Sequence, residues 1–265
     1  MKFDIGIITL HKHSDLVDQM TRLFPDANVF LQTGVDVRNS SIEDLREADI
    51  ISDSAYTALS EGRKYHWELY TKGGVGVFLA NRLALLKNVN RPLLLLEDDC
   101  IIDNVDKFKS EVDILLNHQN EYDVAVFGGI LTSKPLNKNC TSFFMNNDWN
   151  FIEGDFVFMH SVLYSTSGRK KIGEHYLQNQ LSMQIDGCLS LLSKRKKIKL
   201  LVQDKNHTAK QKYHMSDIQN DMCLLCFLRG GIQGDVIIIS IILIIIILII
   251  ILFVVFRKHY KGHIN

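Results

Sequence analysis

The chain has 265 residues, of which 46% are hydrophobic and 23% charged, ordinary values for a globular protein. Thirty Lys and Arg balance thirty Asp and Glu, so no overall field favours nucleic acid as a partner. Five cysteines, Cys100, Cys140, Cys188, Cys223 and Cys226, are odd in number and scattered, which does not fit a disulfide framework.

The N-terminal "MKFDIGIITLHKHSD" lacks the apolar core of a signal peptide and reads as a first strand over 3–9. His11 and His13 follow in a loop. Ser14 is placed to cap an amphipathic helix, "SDLVDQMTRLF". "ANVFLQT" (27–33) predicts a second strand, and Ser41 with Asp44 has capping-box spacing before "SIEDLREA". Residues 73–88 predict a helix entered through glycines, and 93–96 an apolar strand. A helix is expected over 105–119 and a strand over 122–128. Aromatic, strand-like sequence fills 141–165. Helical segments at 167–178 and 183–194 and a strand at 197–202 complete the pattern. The basic "SKRKK" (193–197) reads as a solvated helix end. Alternation of this kind predicts an α/β layered domain over 1–210 with a mainly parallel sheet.

Residues 211–234 read as a juxtamembrane linker, with "GGIQG" as its hinge. Cys223 and Cys226 in it read as buried or lipid-modified thiols, not as a zinc site. Residues 236–256, "VIIISIILIIIILIIILFVVF", carry no charge, and Ser240 is their only hydroxyl. As a helix the segment would span roughly 30 Å, the thickness of a bilayer core. A basic tail, 257–265, follows. The missing signal peptide leads us to expect a C-terminal anchor with the domain in the cytosol. The basic tail and sequons at Asn39, Asn139 and Asn206 lean the other way.

The chemistry-bearing residues stand in "RPLLLLEDDCIID". Ligands of open α/β sheets bind beyond the carboxyl ends of strands, and a run of four leucines suits a central strand buried on both faces. Glu97, Asp98 and Asp99 end that run. Clustered hard oxygens fit Mg²⁺ or Mn²⁺, above all where a diphosphate adds ligands. A solvated acidic turn that starts the next helix fits these three residues as well.

The order of features resembles glycosyltransferase family 25, which includes lipopolysaccharide-type and collagen galactosyltransferases. The similar stretches are "IGIITLHKHSDLVDQM", "TKGGVGVFLANRLALLKN", "LLLLEDDCII", "YDVAVFGG", "GDFVFMHSVLYSTSGRKKI", "MQIDGCL" and "LLVQDKNHT". Together they cover roughly residues 3–210. The resemblance implies a GT-A type, Rossmann-like nucleotide-sugar-binding domain, to which the apolar run at 236–256 adds one C-terminal transmembrane helix. It also implies a UDP-sugar donor, Mn²⁺ or Mg²⁺, and transfer of a hexose, galactose foremost, to an acceptor hydroxyl with net inversion. On that match Asp98 and Asp99 meet the metal and diphosphate, and Glu97 supports them or touches the donor. Asp186 positions the acceptor or acts as general base; a structural Asp capping its helix is the competing reading. Asp155 is a weaker base candidate, and His207 a late metal ligand or a solvated loop residue.

The acceptor is a glycan, a lipid-linked group or a protein at the membrane. Gly74, Ala80 and Asn81 stand where the family has Glu and a Ser-His pair, and the family's early Arg is not evident. A second expectation is therefore a membrane-bound scaffold or binding protein that kept the fold and lost the reaction. A metal-dependent phosphotransferase or nuclease lacks the supporting G-x-x-x-x-G-K signature.

Overall fold

The computed structural model describes residues 2–65, 67–133, 143–146, 149–204 and 207–212. The expected span at 236–256, the tail, most of the linker, Cys140, Cys223, Cys226, Asn139 and Asn206 lie outside the described residues. Among those described, no helix is long and apolar enough to cross a membrane.

The chain opens with β1 (Asp4–Thr9), α1 (Asp15–Leu23) and β2 (Asn28–Thr33). Two short helices follow, α2 (Ile42–Glu47) and α3 (Asp53–Glu61), and then α4 (Lys72–Leu86). Ser41 and Asp44 form the expected capping box, satisfying helix-end N–H groups reciprocally. Ser14 has the extended backbone of a cap but its side chain makes no capping bond. The leucine run is β3 (Leu93–Glu97), and a turn at Asp98 and Asp99 leads into β4 (Cys100–Ile102). The three acids therefore do not start a helix. The next one, α5 (Val105–Asn117), begins later and is capped by Asn104.

Beyond α5 come β5 (Val124–Val126), β6 (Ile130–Ser133), β7 (Phe143–Asn146), β8 (Trp149–Glu153) and β9 (Asp155–Val157). The described chain ends with β10 (Ser161–Tyr164), α6 (Thr166–Gln178), α7 (Ile185–Lys194), β11 (Leu200–Gln203) and β12 (Ala209–Gln211). The main sheet has the order β2-β1-β3-β10-β5-β11-β8-β7. β2, β1 and β3 are parallel, as are β5 and β11. β10 runs against both β3 and β5, and β8 against β11. Six of the eight strands therefore run the same way, the mainly parallel sheet that was expected, with β10 and β8 reversed within it. The chain leaves β5 through β6 and returns through β9, which pairs antiparallel with β6, so it enters β10 reversed.

The sheet is buried on both faces, and strand alternation divides its side chains between two cores. Leu93 and Leu95 pack with Val124, Val126, Leu200 and Val202 against α4, α6 and α7. Leu94 and Leu96 pack with Ile5, Ile7, Ala125 and Phe127 against α1 and α5. All four leucines are needed because each face takes two. One ion pair sits inside this apolar frame. Arg169, fully buried, donates to Asp4 Oδ2 at 2.8 Å and to the carbonyls of Ala84, Leu85 and Arg91. Two of those carbonyls close α4, so the guanidinium also satisfies a helix C-terminus.

Candidate active site

The acid turn is fixed from three directions. β3 sits between β1 and β10, so the end of β1 and the start of β10 flank its carboxyl end. The Glu97 N–H donates to the His160 carbonyl at 3.0 Å and the Asp98 N–H to Ile8 at 3.1 Å. Thr9, the last residue of β1, donates its hydroxyl to Asp98 Oδ2 at 2.5 Å. From the third side β12 pairs with β4. Gln211 Nε2 then donates to Asp99 Oδ2 at 2.7 Å, and the Lys212 N–H to the Asp99 carbonyl.

These contacts use one carboxylate oxygen of each aspartate. Asp99 Oδ1 is buried with no hydrogen-bond partner among the described residues, a costly state for a carboxylate. His160 is buried beside it, and neither ring nitrogen makes a well-formed hydrogen bond. Burial lowers the His160 pKa, which the nearby Ala209 carbonyl and Asp99 partly oppose. The imidazole needs close backbone approach. Gly128, at the end of β5 with φ +71°, leaves the room it occupies, since a Cβ there would lie 2.5 Å from His160 Nε2.

Glu97 is the most perturbed carboxyl of the site. Burial raises its pKa well above the ordinary value, and the charges of Asp99, Asp98 and Asp186 add to the effect. Four carboxylates from two distant parts of the sequence therefore share one field at the end of β3. Asp186 opens α7. Its Oδ2 accepts the Phe158 N–H at 3.3 Å and its Oδ1 the Gly187 N–H at 2.7 Å. Phe158 holds φ +69°, a backbone state that is costly for a bulky residue and typical of functional sites.

Of the residues expected from sequence, Glu97, Asp98, Asp99 and Asp186 come together. His207 is exposed on the β11–β12 connection, close enough to His160 to disfavour its protonation. Asp155 pairs its Oδ2 with Lys194 Nζ at 2.7 Å. Ala80 and Asn81 are fully buried in α4, and Asn81 Nδ2 bonds to the Val77 carbonyl, so neither meets a solvent-side ligand. Gly74 sits in the first turn of α4, where a Cβ would come 2.8 Å from the Leu69 side chain. Cys188 lies 3.7 Å from His175 Nε2, but burial pushes its thiol up to about 11, which leaves it inert as a nucleophile at neutral pH.

The loop carrying His207 hangs on a buried carboxylate that sequence reasoning missed. Glu111 of α5 accepts Gln203 Nε2 on both oxygens at 2.9 Å and Thr208 Oγ1 at 2.7 Å. Burial lifts its pKa to about 7, against the lowering effect of those donors and of Lys107.

No three His, Cys, Asp or Glu side chains among the described residues are gathered into a metal-holding group. Within the acid cluster, Asp99 Oδ1 is the buried carboxylate oxygen left without a hydrogen-bond partner among the described residues.

No protein-family model matches the chain, and no curated protein matches it. Among solved structures it is similar in outline to 4-diphosphocytidyl-2C-methyl-D-erythritol synthase from Anaerococcus prevotii, with a TM-score of 0.41 and 12% identity over 82% of this chain and 95% of that one. A UDP-glucose pyrophosphorylase complexed with UDP-glucose gives 0.40 and 13% over 79% and 92%. Mannose-1-phosphate geranyltransferase from Thermus thermophilus gives 0.36 and 12% over 79% and 75%. Overlaps this loose carry no argument about fold or chemistry, which rest on the chain's own residues.

Proposed function

We propose that the chain is a membrane-anchored, metal-dependent glycosyltransferase of GT-A type, which moves a hexose, galactose foremost, from a UDP-sugar to an acceptor hydroxyl. One observation carries the reading: Glu97, Asp98, Asp99 and Asp186 share a field at the carboxyl end of a central strand, with one buried carboxylate oxygen unpartnered. Asp99 Oδ1 and the free oxygen of Asp98 would hold Mn²⁺ or Mg²⁺, with His207 on the neighbouring loop as a further candidate ligand. The ion, when bound, supplies positive charge against the diphosphate that departs.

The chain's own residues do the rest. Thr9 and Gln211 fix the two aspartates in rotamers that leave the other oxygen of each directed elsewhere. Asp186, oriented by the Phe158 and Gly187 N–H groups, would take the proton of an attacking acceptor hydroxyl. A single displacement assisted by this base would invert the anomeric centre. The 236–256 segment would hold the site at a bilayer, which suits a lipid-linked, protein or glycan acceptor there.

Calorimetric titration of the detergent-solubilised full chain with UDP, with and without Mn²⁺, tests the binding half of the proposal. UDP binding should tighten at least tenfold in Mn²⁺, and Asp99→Ala should remove that gain. UDP binding indifferent to both the ion and the substitution would contradict it.

A further inference from the structure

Three of the large apolar side chains left exposed belong to segments that meet the first turn of α7, where Asp186 lies. Tyr65 is 53% exposed, Trp67 42% and Phe158 49%. Phe158 donates its N–H to Asp186, and Trp67 faces the residue after it: a Cβ at Gly187 would lie 3.3 Å from the Trp67 Cβ. Tyr65 and Trp67 stack with ring centroids 4.7 Å apart and planes within 3°, so each covers one face of the other and the pair offers an outer aromatic face.

The loop that bears them is firmly built. Glu68 Oε2 accepts the Lys64 and Tyr65 N–H groups. The Gln184 N–H donates to the Trp67 carbonyl at 2.9 Å, its side-chain Nε2 to the Glu68 carbonyl at 3.2 Å, and Glu68 bridges Met183. The platform is thus tied to the two residues preceding α7, whose first turn holds Asp186. Aromatic rings held exposed on a built loop are available to a ligand, and Phe158 keeps a strained backbone where its N–H meets Asp186.

We propose that Tyr65, Trp67 and Phe158 form the acceptor subsite, and that the acceptor is a carbohydrate whose pyranose ring lies on the outer face of the Tyr65–Trp67 stack with a hydroxyl directed at Asp186. This rests on the glycosyltransferase reading of the same site. A pyranose offers a face of C–H groups to the ring's negative π surface and a rim of hydroxyls to polar neighbours, which is the combination present here. A lipid or peptide acceptor would call for a longer apolar channel. The nucleobase of the donor would also stack on such a platform, but the platform is joined to α7 and Asp186, not to the β1 end that holds Asp98.

The chain has two tryptophans, so Trp149→Phe makes Trp67 the sole indole reporter in the full-length protein. Its emission is titrated with the methyl glycosides of galactose, glucose, mannose and N-acetylglucosamine, and separately with UDP and Mn²⁺. Saturable change with at least one glycoside, weakened tenfold or more by Tyr65→Ala while UDP affinity stays within twofold, supports the subsite. Response to none of the glycosides, response to UDP alone, or change on dilution alone would overturn it, the last two assigning the platform to the nucleobase or to a second copy of the chain. Glycoside binding that persists in a protein unable to bind UDP would sustain the platform and defeat the transferase reading, so the two fail separately.

Discussion

At the scale of single residues, the site is built from groups the fold would discard if stability alone mattered. Glu97 is surrounded by three other acids and largely removed from water, so desolvation and repulsion together disfavour its ionised form. Its raised pKa means that the folded apo protein loses stability as pH rises above the ordinary carboxyl value of 4.5. Glu97→Gln should therefore raise the melting free energy of the metal-free protein at pH 7, by about 0.5–2 kcal/mol. The same substitution should lower Mn²⁺ affinity. Thermal melts with and without Mn²⁺ check both, and a destabilised apo protein would contradict this reading of Glu97. Asp186→Asn addresses the proton transfer instead, and should cut kcat by about 10²–10⁴-fold with the fold intact.

At the scale of elements, the buried triad of Glu111, Gln203 and Thr208 joins α5 to the β11–β12 connection, and so to His207 and Gln211. Glu111 has a folded pKa of about 7 against an ordinary carboxyl value of 4.5. A raised acid contributes stability below its unfolded pKa and loses it as pH climbs through the folded one. Between pH 4.5 and 7 the chain should lose up to about 3 kcal/mol through this group, at 1.36 kcal/mol per pKa unit. Glu111→Gln should flatten that part of the pH profile in urea titrations; an unchanged slope would contradict it. Such a residue was invisible in sequence because Glu in an amphipathic helix ordinarily faces solvent. The same limit explains His160, Thr9 and Gln211, which reach the acids only through strand pairing across the sheet. By contrast the leucine strand, its acids and the glycine-entered helix were legible, because they are contiguous and their burial pattern is local. Strand direction was not. Period-two alternation in "SVLY" is the same whichever way β10 runs, and only the β6–β9 excursion reverses it.

At the scale of the whole molecule, a two-sided α/β core presents its acidic edge beside an aromatic platform, while the 236–256 segment would tether that edge to a membrane. Deleting residues 236–265 should move the protein from the membrane pellet to the soluble fraction. Retention in the pellet would contradict the anchor. Glycosidase treatment of the expressed chain should leave its mobility unchanged if the domain faces the cytosol, and a shift traced to the exposed Asn39 would place it in the lumen. The central claim, however, is chemical: the acids at the end of β3 act with a divalent ion on a nucleotide sugar. Its most direct measurement is release of UDP from UDP-galactose by the full-length chain, with Mn²⁺ and with EDTA, for the wild type and Asp99→Ala. Turnover that requires Mn²⁺ and vanishes in Asp99→Ala is the expected result, whereas turnover equal in the two proteins, or none in the wild type with any acceptor glycoside present, would contradict it.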